Sequence, residues 1–188
     1  VFCHDALCAF TQALIDANKP PALFEEDEID QMLAAILPPL AAQHNGGVLL
    51  DTARNRALFA RLSRKIVATA KAIVRQLAAG KFKLEGSEVA FGPGRLFPAL
   101  ALELPGGVRY ELTGRIDRID RYTSEAGDSY VRVIDYKTGD ASFAIADLFA
   151  GIKLQLPLYA SAVTALARAE EKAARVAGMY YLPVADPA

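Results

Sequence analysis

The chain has 188 residues, of which 53% are hydrophobic and 23% charged, with 21 basic residues against 22 acidic ones and a formal net charge of −1. That composition excludes intrinsic disorder, and the near-neutral balance excludes the broad basic footprint of a stand-alone, tight duplex binder, while leaving room for a small basic groove. Two cysteines and two histidines, without zinc spacing, exclude a zinc module, and Cys3 and Cys8 on one apparent helix do not make a disulfide scaffold.

The size sets the expectation of one domain, or one domain with a helical appendage. No apolar run approaches the ~20 residues of a membrane span. The opening residues lack the basic region of a signal peptide, so the expected compartment is the cytoplasm, with no membrane partner. The absence of an initiator Met points to a piece of a longer protein.

The first half reads as helix. Leu7, Phe10 and Leu14 recur at helical spacing between Phe2 and Asn18, and the prolines after Lys19 stop that helix. The acidic run Glu25–Glu28 suits the first turn of a second helix, whose stripe is Met32, Leu33, Ile36 and Leu37. Pro38 and Pro39 are expected to kink or end it, and Asn45–Gly47 is a turn. A long helix is predicted over Arg54–Ala79, with Leu58, Leu62, Ile66, Ala70 and Ile73 on one stripe and Gly80 as its cap.

The period then changes to two. Strands are predicted at Lys81–Phe91 and Leu96–Leu104, followed by a turn at Pro105–Gly107. One continuous strand is predicted from Val108 through Ile116 to Asp120, because apolar and polar residues alternate along it. A polar turn near Glu125–Gly127 leads to a strand over Tyr130–Lys137. Helices follow at Ile145–Gly151 and Leu154–Ala169, then a last strand at Arg175–Val184. Helices, strands, helix and strand in that order imply an α+β fold of α/β/α type with a mixed central sheet. Residues 1–80 form its N-terminal helical segment and 81–188 its core, one structural domain in all.

The hairpin carries the chemistry. Asp135 and Lys137 are two apart on a strand, hence on one face and about 7 Å apart at the Cα. If the turn centres near Glu125–Gly127, Asp117 falls opposite or beside Asp135; a slip of one residue would undo this. Two adjacent carboxylates repel unless they share a proton or a cation. With oxygen ligands and no His or Cys cluster, a hard divalent ion is the natural guest. A lysine beside it can orient or deprotonate an attacking water or stabilise charge on a phosphate. Val131, Val133 and Ile134 make that strand central, and central strands seldom carry acids without a reason. Asp120 is expected to pair with Arg118 or Arg121, and the run Glu25–Asp30 to be a solvated helix face.

Three segments, GRIDRID at 114–120, VIDYKTG at 133–139 and QLPLY at 155–159, resemble the motifs of PD-(D/E)xK nucleases. The RecB-like branch is closest, and within it the C-terminal nuclease domains of AddB-type chains of helicase–nucleases. The resemblance implies a restriction-endonuclease-like fold and Mg²⁺-dependent hydrolysis of single-stranded or end-processed DNA, with Mn²⁺ able to substitute. It also implies a role in double-strand break repair and recombination beside an AddA-like helicase partner and the rest of the chain itself. Asp117 and Asp135 match the metal-ligating acids, Lys137 the catalytic lysine, and Tyr136 supplies a backbone carbonyl to the metal. His4, within VFCHDAL, matches a histidine that joins the metal site, and Glu88, within GSEVAF, an acid with a weaker role. Gln155 and Tyr159, four apart on a helix, match residues that face the site and the DNA. Ile116 stands where the family name has proline, a departure common in this branch. Many relatives of this branch hold a four-cysteine iron–sulfur cluster; such a cluster here would need cysteines outside these residues. The rival readings are a DNA-end-binding or scaffolding module with an inactive nuclease fold, and a free-standing RecB-like exonuclease.

Overall fold

The computed structural model describes residues 1–95, 97–104, 106–139, 144–169 and 174–184. Leu96 and Pro105, read from the sequence as a strand start and a turn, lie outside the described residues. The chain forms two compact units. By their described residues, the first holds 1–81, 136–139 and 183–184, and the second 82–135 and 144–182.

The first unit is built on helices. α1 (Phe2–Ala17) buries Phe2, Ala6, Leu7, Phe10 and Leu14, and Asn18 closes it in the left-handed conformation, its N–H donating to the Ile15 carbonyl at 3.0 Å. α2 (Glu26–Gln43) starts with Glu26, Asp27 and Glu28 in its first turn, where the helix dipole favours them. It runs through Pro38 and Pro39, so of the expected kink or end, the end does not occur. Both prolines are exposed, so water reaches the carbonyls that lose a partner, while Ile29, Leu33, Leu37 and Ala41 keep an unbroken buried stripe.

Asn45, Gly46 and Gly47 take positive φ angles of 46°, 71° and 83° and turn the chain into a short α3 (Val48–Asp51). α4 (Ala53–Ala79) is N-capped by the Thr52 hydroxyl, which accepts from the Asn55 N–H at 3.1 Å. Its buried stripe is Ile66, Ala70, Ile73, Val74 and Leu77; Leu58, expected on that stripe, is 39% exposed. Lys71 of α4 pairs with Glu26 and Asp30 of α2, so part of the acidic run is an interhelical contact as well as a solvated face.

The second unit centres on a four-stranded sheet in the order β1 (Lys83–Phe91), β4 (Gly114–Thr123), β5 (Ser129–Lys137) and β6 (Ala174–Pro183). β1, β4 and β5 pair antiparallel; β6, reached from β5 through α5 (Ile145–Phe149) and α6 (Gln155–Ala169), completes a mixed sheet. The α+β class with a mixed sheet is therefore as the sequence implied. α6 covers one face of the sheet. Leu156, Tyr159, Ala162 and Val163 pack on Phe91, Ile116, Ile119, Val131 and Val133. Each fully buried aliphatic of this set stabilises the unit by roughly 1.5–3 kcal/mol relative to exposure.

The predicted single strand from Val108 to Asp120 is two. β3 (Val108–Leu112) pairs with β2 (Leu100–Leu104) in a separate hairpin, and the chain changes sheets at Thr113. β4 starts at Gly114, where a Cβ would lie 2.7 Å from the Phe91 ring of β1, a close approach that suits glycine.

Arg118 and Asp120 are both fully buried. Arg118 grips Asp120 with two hydrogen bonds, Nε to Oδ1 at 2.7 Å and Nη2 to Oδ2 at 2.8 Å, and Arg132 Nη2 adds a third at 2.8 Å. The Arg132 guanidinium also lies 4.2 Å over the Phe82 ring. Of the two arginines expected for Asp120, Arg118 is the one used; Arg121 pairs with Glu85 instead. Removing one partner of a buried pair strands the other charge. Arg118→Ala is therefore expected to lower unfolding stability by about 3–5 kcal/mol in urea denaturation. Arg121→Ala, at a half-exposed pair, is expected to cost under ~1 kcal/mol.

Candidate metal and catalytic site

The two central strands bring the acids together. The β4–β5 ladder runs Tyr122 to Tyr130, Arg121 to Val131, Asp120 to Arg132, Ile119 to Val133 and Arg118 to Ile134. The paired ladder ends at Arg118 and Ile134, and Asp117 and Asp135 are the next residues of the two strands beyond it. Thr123 and Ser129 close that hairpin, and Ser124 accepts at its carbonyl from the Gly127 N–H at 3.0 Å. Asp117 is 5% exposed and Asp135 1%. They share the sheet face of Ile119, Val131 and Val133, the face that α6 covers.

β1 brings a third acid to the same level. Ser87 pairs with Arg118 and Val89 with Ile116, so Glu88 holds the position opposite Asp117. Glu88 sits at φ 52°, a strained conformation for a residue other than glycine, and its carboxylate is in an ion pair with Arg115. Arg115 was not singled out from the sequence. It lies 27 residues from its partner, and only the β1–β4 register reveals the pair.

α6 supplies the polar lid of this face. The Gln155 side-chain amide donates to the Tyr159 hydroxyl at 2.7 Å, as expected for residues one turn apart. Tyr159 is nearly buried and packs edge-on against Phe91, with ring centroids 6.0 Å apart. Burial pushes its phenol up; the Gln155 bond opposes this, and the negative charges of Asp117 and Asp135 push it further. The phenol thus feels both carboxylates. Tyr181 of β6 adds to the same shift, a neighbour that strand alternation alone did not mark.

Tyr136 and Lys137 end β5, and the Lys137 carbonyl accepts from the Val184 N–H at 2.8 Å. Lys137 follows Asp135 by two residues on the same strand, which keeps both on one face. In the first unit, His4 is half-buried on α1. Its Nδ1 lies 3.1 Å from Asp5 Oδ1, its Nε2 lies 3.8 Å from the Cys8 sulfur, and its ring stands edge-on to Tyr136 with centroids 6.4 Å apart. Burial raises the Cys3 thiol, and both cysteines are buried and free.

The donor set fits a hard divalent cation. Asp117 and Asp135 offer carboxylate oxygens from a water-poor sheet face, and the end of β5 offers the Tyr136 carbonyl, all oxygen ligands of the type that Mg²⁺ and Mn²⁺ prefer.

An α+β unit with paired acids on its central strands and a lysine two residues beyond is the architecture of a phosphodiester-cleaving fold. The model of the PD-(D/E)XK nuclease superfamily matches residues 1–188, and the chain belongs to that superfamily. Among curated proteins, it is 38% identical over 192 residues to the AddB-type chain of the ATP-dependent helicase/deoxyribonuclease of Desulforudis audaxviator, covering all of this chain and 16% of that protein. To the protein of the same name from Clostridium novyi it is 30% identical over 187 residues, covering 99% of this chain and 16% of that protein. To that of Ruminiclostridium cellulolyticum it is 30% identical over 162 residues, covering 86% and 14%. The chain thus spans about a sixth of the length of these relatives.

The raised Tyr159 pKa has a measurable consequence. Tyr159 should titrate above the ordinary tyrosine range of about 10 in ultraviolet titration against Tyr159→Phe, with chelator present. Its contribution to stability is fully present below the unfolded-state value and is lost as pH rises through the folded one. Asp117→Ala or Asp135→Ala should lower the value only in part, because burial is the larger cause. A Tyr159 value indifferent to both substitutions would contradict the arrangement described.

Proposed function

We propose that this chain is a Mg²⁺-dependent deoxyribonuclease domain of exonuclease type that hydrolyses single-stranded DNA. Its setting would be a helicase–nuclease that processes double-strand breaks in the cytoplasm, with a helicase partner feeding it DNA. The reading is supported by two buried acids, Asp117 and Asp135, on adjacent central strands of a PD-(D/E)XK chain, with Lys137 two residues beyond the second. The domain division proposed is a helical segment, 1–80, that contributes His4, and a nuclease core, 81–188.

Asp117, Asp135, His4 and the Tyr136 carbonyl would hold the ion, which when bound lowers the pKa of water and neutralises charge developing on the phosphate. Lys137 orients the attacking water and donates to the phosphate oxygen that gains charge. Gln155 and Tyr159, joined by their hydrogen bond, stay neutral and offer hydrogen bonds to the strand without adding to the negative charge of the acids. Glu88, held by Arg115, supports the row of acids from β1.

Calorimetric titration of Mg²⁺ or Mn²⁺ tests the metal. The parent and Lys137→Ala should bind, and Asp135→Ala should not. Lys137→Ala should then cut single-stranded DNA about 10²–10⁴ times more slowly than the parent. A folded parent that binds neither ion and leaves DNA intact would favour the end-binding or scaffolding reading instead.

A further inference from the structure

α4 carries seven basic side chains and not one acidic residue in 27, within a chain whose net charge is −1. A solvated helix normally mixes its signs, because opposite charges three and four apart support it and like charges destabilise it. The C-terminal half of α4 is balanced: Lys71 and Arg75 meet Glu26, and Lys71 also meets Asp30. Arg56 is occupied as well, donating to the Leu50 and Asp51 carbonyls at 3.0 and 3.3 Å.

Arg54, Arg61 and Arg64 are different. All three are exposed, and no carboxylate among the described residues pairs with them. At 100° per residue, they and Lys65 fall within an arc of about 100°, on the side opposite the buried stripe of Ile66, Ala70, Ile73 and Leu77. Arg61 and Arg64 are three apart and repel each other, and Arg54 stands in the first turn, where the helix dipole opposes a cation. Small Ala57 and Ala60 lie between Arg54 and Arg61, which keeps the guanidinium groups accessible. The array is thus costly to the free protein, and an anionic partner would offset that cost.

Resting on the proposed nuclease reading, we infer that the Arg54–Arg61–Arg64 face of α4 is a track for the phosphate backbone of the single DNA strand, separate from the cutting site. Its length of about 15 Å, from ten residues at 1.5 Å each, matches roughly four nucleotides of a stacked strand. The track runs beside the start of α1. Phe59 packs edge-on against Phe2 with centroids 5.8 Å apart, and the charge of Lys65 is felt at Cys3, the neighbour of His4. Guanidinium groups suit the task, because they remain charged and bind phosphate oxygens in pairs.

The test measures binding without cutting: the full chain carrying Asp135→Ala, with chelator present, and labelled oligothymidine as the probe. It is compared with the same chain carrying Arg54→Gln, Arg61→Gln and Arg64→Gln in addition. Each phosphate contact to a single strand contributes about 0.7 to the slope of log affinity against log salt. The triple variant should therefore show a slope shallower by about 2. Between about 50 and 200 mM salt, the parent's affinity should fall roughly 20-fold more than the variant's.

Equal slopes and affinities would overturn the track. So would displacement of the oligothymidine by poly-glutamate as effective as by unlabelled DNA, which would point to an acidic protein as the occupant. Should the triple variant not fold, the three single variants carry the same test, each with an expected slope change near 0.7. Absence of Mg²⁺-dependent cutting by the parent is read in a separate assay, so the nuclease reading and the track fail independently.

Discussion

The structure of the second unit depends on one register. β4 and β5 pair from Thr123 and Ser129 to Arg118 and Ile134, which leaves Asp117 and Asp135 next beyond the ladder, and a slip of a single residue would turn every side chain of one strand to the opposite face. The two acids cannot enforce that pairing, because adjacent carboxylates repel. The next rungs enforce it. Ile119 faces Val133 on the side that α6 covers, and Asp120 faces Arg132 on the other side. The first pair gains from burial, and the second is locked by hydrogen bonds that also engage Arg118. A slipped register would part Arg132 of β5 from the buried Asp120, whose pair with Arg118 lies within β4. The ion network on one face thus holds the acids on the other.

Much of this was legible in the residues. Helical stripes and caps located α1, α2 and α4, and the period of two located β5 to within a residue, while β4 was read as the end of a longer strand. The placement of Asp117 opposite or beside Asp135 was conditional on the turn, since a slip of one residue would undo it. Gln155 and Tyr159 were readable as neighbours because helix geometry fixes residues four apart. The same period of two concealed the break between β3 and β4. Alternation runs on through Thr113, and the close approach at Gly114, where β4 starts, is to Phe91, a residue remote in sequence. Pro38 and Pro39 misled for the opposite reason. Their local penalty is real, but solvent meets the lost hydrogen bonds and the buried stripe overrides it. Glu88 owes its place opposite Asp117 to the β1–β4 register, and it takes a positive φ that no pattern announces. That Asp120 would pair with Arg118 or Arg121 was visible from spacing; which of them, and that Arg132 would join, required the structure.

Charge followed a different logic. Summed over the chain it nearly vanishes, and that sum argued against a broad basic footprint. The sum conceals a separation: α4 holds only positive charge, and α2 opens with negative charge. Where the two helices meet, Lys71 and Arg75 neutralise Glu26 and Asp30, which leaves the excess at the other end of α4. Net charge describes solubility and long-range steering, whereas the field that a strand of phosphates meets is set by charges within a Debye length, about 10 Å.

These features share a physical form. Buried acids side by side, a glutamate at positive φ and a helix face of unbalanced arginines each raise the free energy of the isolated fold. Each is carried by stabilising contacts nearby: the Arg118–Asp120–Arg132 network, the Arg115 ion pair, and the apolar stripe of α4. Such sites are loaded to receive what the fold lacks. The acids would be relieved by a cation, the arginines by phosphates, and a nucleic acid strand with its divalent counterion brings both. A ligand that binds only the folded state stabilises it in proportion to how far it is above its dissociation constant. On the proposed reading, metal and DNA would support each other's binding, because a phosphate brought to the acids without the cation would add a negative group beside two carboxylates.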